Sequence, residues 1–251
     1  MSVTESKSNY NHRVEIVQPE NKLYDSVCII LHGYGSLPHE MAFWTLIMRE
    51  LLFMLPNMKF ILPYAIFQNE IHRDNSGKTD NTTIGGFSQG AALALYTELT
   101  FEYKLGCSFV LSGFLPSNIT TFNNTIKNSV NLRTSIFISY GGREDKKYID
   151  EIESVIEEVL KFNSIPHVYK KYDDLAHVMS FAELIDVANF LKKYWSHLIE
   201  HGEHYHKNLK NYQDFKYQLQ KPSEDIDSRN KIRNYPFESF NPKYIECSTS
   251  V

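Results

Sequence analysis

The sequence predicts an α/β protein in which a mostly parallel central sheet is covered by helices on both faces. Three observations predict it. Short apolar runs recur at Ser26 to Leu31, Lys59 to Leu62, Cys107 to Leu111 and Ser135 to Tyr140, and strands buried on both faces read as continuous runs of this kind. Amphipathic segments lie between or after them, at about His39 to Leu55, Lys147 to Asn163 and Ala182 to Ile199; strands alternating with helices imply βαβ units. The stretch Asn81-Thr82-Thr83-Ile84-Gly85-Gly86-Phe87-Ser88-Gln89-Gly90-Ala91-Ala92 passes from strand to helix through one sharp turn.

In chain order, residues 1–12 are polar and read as a flexible N-terminus, residues 13–200 as one globular domain, and residues 201–251 as a C-terminal extension, partly disordered. A first strand is expected at Arg13 to Val17. The run Ser26 to Leu31 enters the loop His32-Gly33-Tyr34-Gly35 as a central parallel strand would, and a helix follows it. Within that helix Phe43, Trp44, Ile47, Met48, Leu51 and Leu52 keep the spacing of a buried face. Lys59 to Leu62 is a strand stopped by Pro63. Residues 68–81 carry no helix signal. After the turn at Ser88 come a helix, two more strands, the helix beginning near Lys147, a strand at His167 to Tyr172 and the last helix. Beyond His201 the apolar period decays, although the Tyr and Phe residues of the extension could still dock on the domain.

Composition narrows the function classes. A 251-residue chain that is 42% hydrophobic and 22% charged is long enough for one sizeable core. With 26 basic residues interspersed among 30 acidic ones, no cationic stripe offers itself to a phosphate backbone, and nucleic acid is not an expected partner. The most apolar helix is interrupted by Arg49 and Glu50 and falls short of the ~20 residues that cross a bilayer. The N-terminus has neither a signal pattern nor a myristoylation glycine, so a cytoplasmic protein is expected, with Cys28, Cys107 and Cys247 as reduced thiols.

The chemistry is written at the turn. In a Gly-x-Ser-x-Gly elbow, glycines two places either side of the serine let strand and helix pass closely, and the strained turn holds the hydroxyl out toward a substrate. The helix that follows opens its amides and positive dipole end toward charge developing on a bound carbonyl. A serine hydroxyl needs an imidazole to take its proton and an acid to orient that imidazole. In chain order these partners should follow the serine as acid, then histidine. His177 lies in the loop between the last strand and the last helix, where the base is expected. Two adjacent carboxylates, Glu144 and Asp145, follow the strand Ser135 to Tyr140 and compete for the acid. Asp173 and Asp174 precede His177 in its own loop and read as solvated turn residues.

Ile30-Leu31-His32-Gly33-Tyr34-Gly35, Gly85-Gly86-Phe87-Ser88-Gln89-Gly90-Ala91-Ala92, Tyr140-Gly141-Gly142-Arg143-Glu144-Asp145 and Ala176-His177 resemble the four landmarks of the acyl-protein thioesterase family of small carboxylesterases. The likeness covers about residues 24–199. It implies an α/β-hydrolase fold, hydrolysis of acyl thioesters or carboxylic esters through an acyl-enzyme, and no cofactor or metal. The implied substrate is an S-acylated protein, a small acyl ester or a lysophospholipid, with at most transient contact with a membrane surface. By the same resemblance the catalytic residues are Ser88, His177 and an acid near residue 145, and the oxyanion hole is formed by the backbone NH groups of Tyr34 and Gln89. His32 supports its loop.

Two departures from the family pattern stand out. The family's acid loop reads His-Gly-x-x-Asp; a gapless match from Tyr140-Gly141 selects Glu144, and a shift of one residue selects Asp145, the preferred reading. The chain is also shortened between the third predicted strand and the elbow, with about twenty residues from Pro63 to Thr83 where family members carry a substrate-contacting loop and a full helix. Acyl-chain preference is therefore the least transferable property. Two other readings compete with a thioesterase: a lysophospholipase or general carboxylesterase using the same triad, and a hydrolase-fold binding protein that has lost turnover. His197, His201, His204 and His206 lack the cysteine or carboxylate partners of a metal site. The sequence leaves the oligomeric state open.

Overall fold

A computed structural model of the chain describes residues 2–7, 13–19, 23–36, 38–51, 54–64, 79–115 and 118–195. Its strands are β1 (Ser2–Lys7), β2 (Arg13–Gln18), β3 (Ser26–Leu31), β4 (Met58–Pro63), β5 (Thr82–Phe87), β6 (Cys107–Leu111), β7 (Ser135–Gly141) and β8 (His167–Tyr172). They form one eight-stranded sheet in the order β1-β2-β4-β3-β5-β6-β7-β8. The six strands from β4 to β8 in that order pair in parallel, while β1 and β2 are antiparallel.

Helices α1 (Pro38–Leu46), α2 (Gln89–Thr100), α3 (Ile119–Ile126), α4 (Lys146–Ser154) and α5 (Phe181–Trp195) connect or follow these strands. Helices α1 and α4 continue in π-helical geometry over Ile47–Leu51 and Val155–Lys161. Pro38 opens α1 at a position where a missing amide costs nothing. Helix α5 is opened by a capping box in which the Glu183 amide donates to Ser180 Oγ and the Ser180 amide donates to Glu183 Oε2.

Alternation along the central strands sends side chains to both faces of the sheet, where the described residues form two large cores and a smaller cluster of Val27, Ile29, Ile84, Ala94 and Leu105. Cys28, Ile30, Phe60, Cys107, Phe109, Leu111 and Phe137 bury against α1 and α5. Val110, Ile136, Ile138 and Tyr140 bury against α2, α3 and α4. Met41, Ala42 and Met48 lie in the first core with Trp44 and Leu46 packed on it, so the apolar helix after β3 is a core helix. Among the described residues no helix is long and apolar enough to cross a membrane.

Several expectations change. Ser2–Lys7, assigned by its polarity to a flexible terminus, forms β1 through backbone pairing along the whole of β2, from Ser2 opposite Gln18 to Lys7 opposite Arg13. Helix α3 carries no strong propensity signal, and is held instead by Asn118 Oδ1, which accepts from the amides of Thr120 (2.9 Å) and Thr121 (3.3 Å), and by burial of Phe122 and Ile126. The strand expected third in the chain is the fourth. The shortened connection falls mostly on residues 65–78, outside the described residues, as do the C-terminal extension, the cluster from His197 to His206 and Cys247. Cys28 and Cys107 are buried free thiols whose Cα partners are both Thr83, so β5 separates them. Burial pushes both thiols up, Cys107 to about 12, which keeps them protonated and inert.

Candidate active site

The carboxyl ends of the parallel strands carry the site, as expected for an open α/β sheet. Ser88 sits between β5 and α2 with φ +54° and ψ −120°, a conformation that costs a non-glycine residue roughly 1–3 kcal/mol. Its amide donates to Leu111 O at 2.8 Å and its carbonyl accepts from the Ala92 amide at 3.0 Å, so β6 and α2 both hold the strained turn. The flanking glycines are required by the crossing itself. A Cβ on Gly86 would lie 2.6 Å from both Leu31 O and the Gly90 carbonyl carbon, and one on Gly90 would overlap Leu31 O outright.

His177 reaches this serine from the loop after β8. Its Nε2 is 2.8 Å from Ser88 Oγ, and its Nδ1 is 2.8 Å from Glu144 Oε2. An ionised carboxylate offers only acceptors, so Nδ1 carries the proton and Nε2 accepts from the serine hydroxyl. The imidazole is flanked by Phe87 at 4.9 Å and by Tyr148 at 5.7 Å, the latter ring nearly parallel to it. The Arg143 amide donates to Leu175 O at 2.9 Å, and the Gly142 amide to Tyr172 O at 2.7 Å, tying the acid loop to the histidine loop.

The carboxylate behind His177 is therefore that of Glu144, and the expectation of Asp145 is corrected. Asp145 is exposed and is the N-cap of α4, its Oδ1 accepting from the Lys147 amide at 2.9 Å. Capping turns it away from the histidine. Glu144 is buried, and Oε1 accepts from Ser112 Oγ at 2.6 Å and from the Gly141 amide at 2.7 Å while Oε2 faces His177. Burial pushes the Glu144 carboxyl up, but its hydrogen bonds with His177, Ser112 and Gly141 outweigh that and hold it below the ordinary carboxylate value.

A second carboxylate nearby is shifted in the opposite direction. Glu183 of α5 is buried and accepts from Ser139 Oγ at 2.6 Å. Burial raises it to about 7, helped by the charges of Glu144 and Asp186 and opposed by hydrogen bonds from Ser139 and Ser180. Two neighbouring acids are thus pushed apart, which concentrates negative charge at neutral pH on the one that touches His177.

The loop after β3 runs beside the serine. A Cβ on Gly33 would stand in ordinary contact with Ser88 Cβ, at 3.4 Å, and the Ser36 amide closes a turn on Gly33 O at 3.2 Å. Tyr34 follows Gly33, its ring largely exposed, and Gln89 is the first residue of α2 with its side chain exposed. His32 Nδ1 donates to Gly33 O at 2.9 Å, in keeping with support of this loop. His167 Nδ1 donates to Ile165 O and takes no part in the site. Asp173 and Asp174 are exposed. Among the described residues no group of three His, Cys, Asp or Glu side chains is arranged to hold a metal ion.

Sequence reasoning missed Ser112 altogether. The available signal was its position at the carboxyl end of a central strand, directly before Gly113.

The profile of the phospholipase/carboxylesterase family matches residues 70–195, half of the chain, including Ser88, Glu144 and His177. The chain belongs to that family. Among curated relatives, acyl-protein thioesterase 1 of Saccharomyces cerevisiae is 34% identical over 123 residues, 48% of this chain and 52% of the relative. The acyl-protein thioesterase 1 of Candida albicans is 33% identical over 126 residues, 49% and 54% of the two chains. The chain spans about half the length of the curated relatives it matches. Solved structures share the fold: esterase PE8, with TM-score 0.60 at 18% identity over 76% of this chain and all of the other, and Zea mays acyl-protein thioesterase 2, with TM-score 0.58 at 22% identity over 72% and 98%. The protein is an α/β-hydrolase.

Proposed function

We propose that this chain is a serine esterase that hydrolyses acyl thioesters or carboxylic esters, with Ser88 as nucleophile, His177 as general base and Glu144 as the acid that orients it. One observation carries the reading: His177 bridges Ser88 and Glu144 with 2.8 Å on each side. Hydrogen-bond reach on both imidazole nitrogens is what base catalysis by a triad requires.

In the acylation step, Ser88 Oγ attacks the acyl carbonyl carbon as its proton passes to His177 Nε2. The Glu144 carboxylate stabilises the imidazolium, and the backbone NH groups of Tyr34 and Gln89 receive the oxyanion. The intermediate collapses by breaking the C–S or C–O bond, and Nε2 returns the proton to the departing thiolate or alkoxide. Water then attacks the Ser88 ester with His177 again taking a proton. The acyl–Oγ bond breaks, the acid leaves and the serine regains its hydrogen. No cofactor enters this cycle.

The relatives named acyl-protein thioesterase support an S-acylated protein as substrate, and we place the encounter in the cytoplasm or in transient contact with a membrane surface. Replacing Ser88 by Ala tests the chemistry. Wild-type protein should hydrolyse a short p-nitrophenyl acyl ester and take up a fluorophosphonate on Ser88, and S88A should do neither. Undiminished turnover by S88A would overturn the assignment, and a wild-type protein that neither turns over nor labels would favour the hydrolase-fold binding protein.

A further inference from the structure

Ser112 follows β6 and plays no part in the bond-making steps described above. Its backbone is held at φ +52°, in the left-handed region, and its amide donates to Ser139 O at 2.7 Å. The residue is buried, and its hydroxyl donates to Glu144 Oε1 at 2.6 Å. The Gly141 amide donates to the same oxygen at 2.7 Å, so both donors gather on Oε1 and Oε2 is left to His177 Nδ1.

We propose that Ser112 is a positioning residue of the triad, its hydroxyl fixing the Glu144 carboxylate so that Oε2 stays aimed at His177. The inference rests on the esterase reading above. A glutamate needs such a clamp more than an aspartate does. It has one more torsion between backbone and carboxylate, and the terminal torsion has a broad, shallow profile. The Gly141 amide alone would leave the carboxylate free to pivot about a single hydrogen bond. Ser112 supplies a second direction on the same oxygen, from a different strand. The left-handed backbone is consistent with this role, because it sets where the short side chain leaves the end of β6.

Glycine adopts φ +52° without strain, so S112G removes the hydroxyl while sparing the fold, and S112A serves as a second variant. With a p-nitrophenyl acyl ester, both should lose about 10- to 100-fold in kcat with KM little changed, the range for a lost hydrogen bond to a charged group. In an E144Q background the same substitutions should cost less than about twofold, because the oxygen they aim at His177 has been replaced by an amide nitrogen that cannot accept from it. The far-downfield proton resonance of the His177–Glu144 hydrogen bond should move or broaden in S112G. A wild-type kcat in S112G would overturn the proposal, as would equal losses with and without the E144Q substitution. Should the wild-type protein hydrolyse no ester, the esterase reading falls, and the resonance still decides the role of Ser112: an unmoved signal refutes it.

Discussion

Exchanging the two neighbouring acids one at a time separates the geometry seen here from the sequence expectation. E144Q keeps the size of the side chain, and its carbonyl oxygen can still accept from Ser112 and the Gly141 amide, which now stand 2.6 and 2.7 Å from Glu144 Oε1. The amide nitrogen then faces His177 Nδ1 where Oε2 stood at 2.8 Å. An NH2 group cannot accept from Nδ1–H, so the imidazole must switch tautomer, and Nε2 then carries a proton and cannot take one from Ser88. Loss of the orienting acid in this manner costs serine hydrolases about 10⁴-fold in kcat, or about 5.5 kcal/mol at 1.36 kcal/mol per tenfold. D145N should leave kcat within about twofold. Asn caps a helix about as well as Asp, and the side chain is exposed. The assay is initial-rate hydrolysis of a p-nitrophenyl acyl ester, normalised to folded protein by circular dichroism. A 10³-fold or larger loss in D145N with E144Q near wild type would refute the assignment of Glu144.

Two further predictions concern stability. Glu98 on α2 is fully buried, neither carboxyl oxygen has a hydrogen-bond partner among the described residues, and burial raises its carboxyl from the ordinary 4.5 to about 8. Between those values the folded protein holds a proton that the unfolded chain has released. Stability should therefore fall as pH rises from about 4.5 to 8, by up to about 1.4 kcal/mol per unit. E98Q should flatten that slope in urea melts at pH 5 and pH 8, with Glu183 contributing a residual slope of the same sign; identical slopes in both proteins would contradict it. N118A removes the cap that accepts from Thr120 and Thr121, and should lower unfolding free energy by about 1 kcal/mol with no change in kcat. A melt indistinguishable from wild type would show that burial of Phe122 and Ile126 alone holds α3.

The central strands were legible because burial on both faces writes itself as an unbroken apolar run. β3 and β6 begin and end where the sequence places them, and so does β8, an edge strand with mostly exposed residues. β1 was not legible, since Ser2–Lys7 joins the sheet through main-chain pairing with β2 that its composition does not announce. Helix α3 is built from Thr and Asn, poor helix formers, and its readable signals were the Asn118 cap and the spacing of Ile119, Phe122 and Ile126.

The contact between Ser88 and His177 was legible for a different reason: the proposed acyl transfer calls for these residue types, and the order of strands fixes where along the chain they fall. The acid is harder because Glu144 and Asp145 differ in role only through the turn between them. A rule for residue type alone favours the aspartate; helix capping reverses it. Helix α4 starts at Lys146, and an aspartate immediately before a helix is among the strongest N-caps. A carboxylate bound to the Lys147 amide cannot also reach the imidazole. The preceding glutamate, one methylene longer and pointing inward, meets Ser112, the Gly141 amide and His177 together. Competition for a helix N-terminus thus decides which acid serves the histidine, and it predicts that any variant moving the start of α4 by one residue disturbs the site more than a substitution at Asp145 itself.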